Sequence, residues 1–184
     1  MESADYRSLN EEVNEIRLLR LLCGRFDSPI HIQLYHQPLQ EAKYTSLSYC
    51  WGQNVSKRVE ITVDYNNRCI KPSVSENLAS ALNHLRDQNE DLILWVDAIC
   101  INQNNTMERD SQAQLMGSIY KSCEKVIAWL GPGTLESDRT MITLQEIVDE
   151  LRGPLKDLVA THTLKDLIFT RKKTSSPLDI LPRI

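Results

Sequence analysis

The chain has 184 residues, 41% of them hydrophobic and 25% charged, with 6 Gly and 7 Pro. These proportions describe a globular domain with a core of its own and exclude collagen-like, low-complexity and wholly disordered chains. Twenty-one basic against 25 acidic residues leave a net charge of −4, which offers no general attraction to polyanions, so no nucleic-acid partner is expected.

The opening Met1-Glu2-Ser3-Ala4-Asp5, followed by Glu11, Glu12 and Glu15, is unlike the basic start and apolar middle of a secretion signal, and a cytoplasmic setting is expected. Apolar runs such as Leu92 to Trp95 and Val126 to Leu130 are far shorter than the roughly 20 residues of a membrane span. The five Cys, at 23, 50, 69, 100 and 123, form no CxxC pair, which suggests neither a disulfide framework nor a zinc ribbon, and they read as buried free thiols.

In chain order, the segment Glu15 to Cys23 leads through Asp27-Ser-Pro to Ile30, Ile32 and Leu34, which alternate as in a strand, so an N-terminal hairpin is expected. Tyr44-Thr-Ser-Leu-Ser-Tyr-Cys-Trp51 is rich in β-branched and aromatic residues and ends at Gly52, where the chain can turn. Val59, Ile61 and Val63 alternate, Asn66-Asn67 suits a tight left-handed turn, and Cys69-Ile-Lys returns the chain as a hairpin insertion. Ser73-Val-Ser-Glu76 fits a capping box ahead of a helix over about 75–88 that carries Leu78, Ala81, Leu82 and Leu85.

Leu92 to Val96 reads as an interior strand of a parallel sheet with Asp97 at its carboxyl end, followed by a polar loop from Cys100 to Thr106. Leu115, Met116, Ile119, Tyr120 and Cys123 make the stripe of a helix over 107–123, and Lys125 to Leu130 a further strand. Ser137 or Asp138 can cap a third helix with Met141, Leu144, Val148 and Leu151, and a fourth follows Gly153-Pro154. From Arg152 onward seven Lys/Arg face three Asp, a solvated helix face and an end that frays over 171–184. The alternation specifies an α/β sheet with helices on both faces, in one domain over residues 1–170.

Ligands of such sheets bind beyond the carboxyl ends of the strands. That rim collects Ser48, Tyr49, Trp51 and Gly52 from one strand and Asp97, Asn102 and Gln103 from the next, with Glu108 in the first turn of the following helix. A carboxylate, two amides and two rings suit the hydroxyls and base of a nucleotide. Each has a plainer role as well. Glu108 can close a capping box with Asn105, the three Trp can be core, and Asp97, Asn102 and Gln103 can hold their loop. No GxGxxG or GxxxxGK[ST] occurs. Cys100 lacks a base beside it for nucleophilic work, and His31 and His36 lack partners at metal spacing.

Five blocks occur in order: Tyr44-Thr-Ser-Leu-Ser-Tyr-Cys-Trp-Gly52, Leu94-Trp-Val-Asp-Ala-Ile-Cys-Ile-Asn-Gln103, Glu108-Arg-Asp-Ser-Gln112, Met116-Gly-Ser-Ile-Tyr120 and Val126-Ile-Ala-Trp-Leu-Gly131. Across this motif core, residues 44–131, the chain resembles the fungal heterokaryon incompatibility (HET) domain. The resemblance implies a cytoplasmic module of self/non-self recognition that triggers programmed cell death. It implies a TIR-like, flavodoxin-like parallel sheet, flanked by helices, to which the N-terminal β extension and the β-hairpin insertion are added.

Many TIR domains cleave the nicotinamide bond of NAD when they assemble, through an oxocarbenium-like state that a carboxylate stabilises. Their usual catalytic Glu aligns near residue 142, where this chain has Ile142, with Glu136 and Glu146 on either side. Glu108 and then Asp97 are therefore the catalytic candidates, and Ser48, Tyr49, Trp51, Gly52, Asn102 and Gln103 the nucleotide-binding ones. NAD is expected as a substrate rather than a tightly bound cofactor, and no metal is expected. The chain is expected to form a homo-oligomer on activation and to meet a partner of the death pathway. The alternative is a non-catalytic homotypic interaction domain in the same pathway.

Overall fold

The computed structural model describes residues 6–51 and 57–133, with positions 137, 139, 140, 142 and 143 beyond them. Those five positions are helical. The remainder of the expected third helix, the fourth helix, Gly52, Glu136, Glu146 and the tail over 171–184 lie outside the described residues.

Strands β1 (Glu15–Leu21) and β2 (His31–Pro38) form the N-terminal hairpin, antiparallel from Glu15 opposite Pro38 to Leu21 opposite Ile32. Alternation along β1 sends Leu19 and Leu21 to the same face as Arg17 and sends Arg20 to the other. Arg17 is fully buried with the two leucines, while Arg20 is exposed.

After β3 (Thr45–Tyr49) the chain departs from the expected simple hairpin. Val59 lies on β4 (Arg58–Glu60), whereas Val63 lies on β5 (Thr62–Tyr65). Between them Ile61 is buried and its N–H donates to the Pro72 carbonyl at 3.0 Å. The cause is recruitment of β5 into the main sheet, parallel to β2 with Thr62 opposite His31. Asn66 and Asn67, at φ 51° and 58°, make the left-handed turn into β6 (Arg68–Ile70), a conformation that Asn tolerates better than most residues. β4 pairs instead with β7 (Ser73–Ser75) in a separate two-stranded ribbon.

Helix α1 (Glu76–Leu85) buries Leu78, Ala79, Ala81, Leu82 and Leu85. Its N-cap is Ser75, whose hydroxyl accepts the Leu78 N–H at 3.3 Å. Ser73 cannot take that role, because it is paired in β7 opposite Glu60. Ser75→Ala is therefore expected to cost about 1 kcal/mol, and Ser73→Ala much less, in urea unfolding.

Strand β8 (Leu92–Trp95) runs into a single helical turn, α2 (Asp97–Cys100), where a polar loop was expected to begin at Cys100. Cys100 and Ile101 are buried there. Helix α3 (Thr106–Ser122) and strand β9 (Lys125–Trp129) follow. The expected α3 stripe is only partly buried: Ile119 and Gln112 are inside, and Leu115, Met116, Tyr120 and Cys123 lean against the core.

The main sheet has seven strands in the order β6-β5-β2-β1-β8-β3-β9. β8, β3 and β9 are mutually parallel, and β1 joins them by pairing antiparallel to β8. The fold is thus α/β with an N-terminal β extension built into the sheet itself. Trp95 and Tyr44 are the largest aromatic side chains fully inside it, and the Tyr44 hydroxyl donates to the Ile119 carbonyl at 2.7 Å, fixing α3. Of the cysteines, Cys100 is buried and Cys123 half-buried. Cys23, Cys50 and Cys69 are exposed, contrary to the expectation of buried thiols, because two lie at strand ends and Cys69 lies on the short terminal strand of the sheet.

Candidate functional site at the carboxyl rim

The parallel strands β3, β8 and β9 end side by side, and the residues that follow them meet. The Trp51 indole N–H donates to Asp97 Oδ2 at 3.2 Å, and Asp97 Oδ1 accepts the Ala98 N–H at 2.6 Å. Burial pushes the Asp97 carboxyl above its usual range, against the pull of the Ala98 and Trp51 hydrogen bonds. Tyr49 is raised by burial and by the Asp97 charge, and so is Tyr120, against the pull of Ser48. Trp51 itself is 53% exposed. It is not core, because it lies beyond the end of β3, where among the described residues its indole N–H is anchored on Asp97.

Gln103 donates to the Asp97 carbonyl at 3.0 Å, and the Asn102 side chain accepts the Asn104 N–H at 3.2 Å. Both amides thus hold the loop. A second bridge, not anticipated from sequence, runs through Asn77 at the start of α1. It accepts from the Trp129 indole at 2.9 Å and donates to the Cys50 carbonyl at 2.6 Å. Trp129 leans on His84 at 4.9 Å between ring centres, and His84 meets the half-exposed Phe26 at 5.0 Å. Cys100 is fully buried and its thiol is pushed up to about 12, which leaves it inert as a nucleophile.

Glu108 stands elsewhere. Its own N–H is capped by Asn105 at 3.2 Å, half of the expected capping box. Its carboxylate does not return to Asn105; it accepts from Arg17 Nη1 at 2.9 Å and from the Asn102 N–H at 2.7 Å. Arg17 is fully buried and the Glu108 side chain 8% exposed. The same guanidinium donates to the carbonyls of Cys100 at 2.6 Å and Arg7 at 3.0 Å. Among the described residues Glu108 and Asp97 share no hydrogen-bond partner. Ile142, where the TIR comparison expects a catalytic Glu, is 60% exposed.

Two cavities lie away from the rim. One, of about 230 Å³, lies between the start of β1 and α3, beside Leu9, Glu15, Gln112 and Leu115. The other, of about 540 Å³, opens on Arg20, Gln33, Tyr35 and Arg68 of the β extension.

The sequence profile described as heterokaryon incompatibility protein (HET) matches residues 44–177. This chain belongs to the HET family. Its described HET residues include four of the five motif blocks in full and the first up to Trp51. The chain is 33% identical over 165 residues to heterokaryon incompatibility protein 6, OR allele, of Neurospora crassa, covering 84% of this chain and 24% of that protein. This HET chain spans about a quarter of that relative's length. No solved structure matches it. No described helix is long and apolar enough to cross a membrane.

Beside the HET motif, an unstructured strap crosses the β extension. The Tyr6 ring packs on the Arg17 guanidinium at 4.3 Å and its hydroxyl donates to the Ile99 carbonyl at 2.9 Å. The Arg7 N–H donates to the Tyr65 hydroxyl at 3.0 Å, and the Arg7 side chain reaches Glu15 at 2.8 Å and His36. His36 also meets Tyr65 at 2.7 Å and Glu15 at 3.3 Å.

Burial and the nearby charges of Arg17 and Arg7 hold His36 below its ordinary 6.5, against the pull of Glu15. The unfolded chain therefore binds the extra proton between that depressed value and 6.5, so stability falls as pH drops through the window. Burial also pushes Glu15 upward, but hydrogen bonds from Arg7, the Asn10 amide and His36 outweigh it and leave the carboxyl low. Its contribution is present above its unfolded pKa and disappears at lower pH, in the same direction. Urea midpoints are expected to fall from about pH 7.5 to about pH 5, with a shallower decline in His36→Gln.

Proposed function

We propose that this HET chain is a cell-death signalling module of fungal vegetative incompatibility and that its working surface is the rim of Tyr49, Trp51 and Asp97. The observation that carries this reading is Trp51. It is a large ring held in the open by one hydrogen bond to Asp97, where three parallel strands end. Exposed aromatic anchors of this kind carry much of the energy of protein interfaces. Homotypic assembly through the rim, with engagement of a further protein of the death pathway, is the way such a surface signals. Glu108 acts in this reading as the support of the loop beneath it. Its similarity to heterokaryon incompatibility protein 6 of Neurospora crassa supports the pathway.

The test is expression of the chain in a fungal host with wild type, Trp51→Ala and Asp97→Asn compared at equal abundance. Death in the wild type and survival with both folded variants supports the reading. Undiminished death with Trp51→Ala overturns the assignment of the rim.

A second reading, hydrolysis of NAD by the assembled domain, is favoured by the pairing of Asp97 with Trp51. The carboxylate would accept ribose hydroxyls and stabilise the ribosyl cation, Tyr49 or Trp51 would pack the base, and Ser48, Gly52, Asn102 and Gln103 would border the nucleotide. Nicotinamide release that rises with protein concentration and is lost in Asp97→Asn would establish it over the non-catalytic module. Silence at every concentration from a folded chain that still kills would remove it.

A further inference from the structure

The Arg17 guanidinium is a junction between two parts of the chain far apart in sequence. On one side it holds the rim loop, through the Cys100 carbonyl and through Glu108, whose carboxylate receives the Asn102 N–H. On the other it holds the strap, through the Arg7 carbonyl and the ring of Tyr6. Tyr6 also bonds the loop directly at the Ile99 carbonyl.

The two sides differ in how firmly they are built. Arg17, Ile99, Cys100 and Ile101 are buried. The strap, Tyr6 to Asn10, has no regular structure; Tyr6 and Leu9 are half-buried, Tyr6 against the core, and Arg7, Ser8 and Asn10 are exposed. A segment with little buried apolar surface opens at low free-energy cost, well before the sheet unfolds. When it lifts, water reaches Arg17. The effective dielectric around the Arg17–Glu108 pair rises, and its hold on the Cys100 carbonyl and the Asn102 N–H weakens.

We propose that Tyr6 and Arg7 form a displaceable latch whose seating on Arg17 sets the order of the loop from Ile99 to Asn105, and thereby the readiness of the rim. Arg17 is in this scheme a positioning residue, since it touches the loop and not the rim's exposed face. The regulatory consequence rests on the rim reading above; the coupling between latch and loop does not.

Hydrogen–deuterium exchange of the whole chain separates the two. In Tyr6→Ala the amides of Ile99 to Asn105, Asn102 above all, are expected to exchange at least about tenfold faster while those of β3 and β9 keep their protection. Tyr6→Phe keeps the ring on Arg17 and loses the hydroxyl's bond to the Ile99 carbonyl, so it is expected to fall between. Unchanged protection of the loop in Tyr6→Ala overturns the latch, as does acceleration spread evenly over the sheet. In the fungal assay, altered killing by Tyr6→Ala together with loop-specific exchange supports regulation of the rim. Loop-specific exchange with unaltered killing, in a chain whose death signal still requires Trp51, overturns the regulatory role.

Discussion

Glu108→Ala is expected to lower the unfolding free energy by about 3–5 kcal/mol, the cost of breaking one partner out of a buried ion pair. Removing the carboxylate leaves the fully buried Arg17 without its counter-charge, and the Asn102 N–H without an acceptor. The loss is thus larger than the bond was worth, because desolvation of the remaining groups is no longer offset. The matching double variant, Arg17→Met with Glu108→Leu, removes both charges and is expected to be more stable than either single charge removal. Urea unfolding of the wild type, Arg17→Met, Glu108→Leu and the double variant gives the coupling directly. A loss below about 0.5 kcal/mol in Glu108→Ala would mean that the pair holds nothing, and would restore Glu108 as a catalytic candidate. A functional assay of Glu108→Ala is informative only once its fold is measured, since loss of killing or turnover follows from unfolding alone.

The second large effect lies at Trp95. Its ring is fully buried and meets Tyr120 edge-on, at 5.7 Å and 78°. Trp95→Ala is expected to cost about 3–5 kcal/mol through lost contacts and the cavity left behind. Trp95→Phe is expected to cost about 1–2 kcal/mol, since it keeps an aromatic edge and the indole N–H that it removes has no acceptor among the described residues. Equal losses in the two variants would mean that the N–H carries an interaction that the geometry does not contain.

In the parallel half, Leu92–Trp95 and Val126–Trp129 were legible as short apolar runs, and Thr45–Tyr49 from the β-branched and aromatic residues of its segment. Asn66-Asn67 was legible because few residue types accept a positive φ. The hairpin about Asn66-Asn67 forms as expected, between β5 and β6, but its first strand does not reach back to Val59, for a physical reason. Alternation reports which residues face inward but not which strand lies beside them, so Val59 and Val63 read as one strand while pairing in different sheets. For Trp51 the core was the plainer alternative to the rim, and its exposure goes with the rim, since a residue past the end of a strand owes its exposure to the neighbouring loops.

The Arg17 junction left little mark in the sequence. In Glu15-Ile-Arg-Leu-Leu-Arg-Leu both parities carry apolar residues, and Ile16 and Leu18 are as fully buried as Leu19 and Leu21, so alternation does not separate Arg17 from Arg20, although a charge inside such a strand demands a partner. What sequence could not supply was the identity of that partner, 91 residues away. The rim residues Tyr49, Trp51 and Asp97 did come together as their positions after parallel strands required. Asn77 and His84 lie in the first and last turns of α1, a helix motif that carried no mark of the rim.

The place of β1 in the sheet bears on how the polypeptide is made. As the ribosome delivers the chain, β1, β2, β5 and β6 are all available once residue 70 has emerged, and each can zip onto a neighbour already present. β3 cannot: both of its neighbours, β8 and β9, are synthesised after it. It waits unpaired on both edges through some forty residues of synthesis, a few seconds at cellular rates. The segment that carries Ser48 and Tyr49 thus waits longest for a partner among the described strands, and it is where holding chaperones are expected to bind.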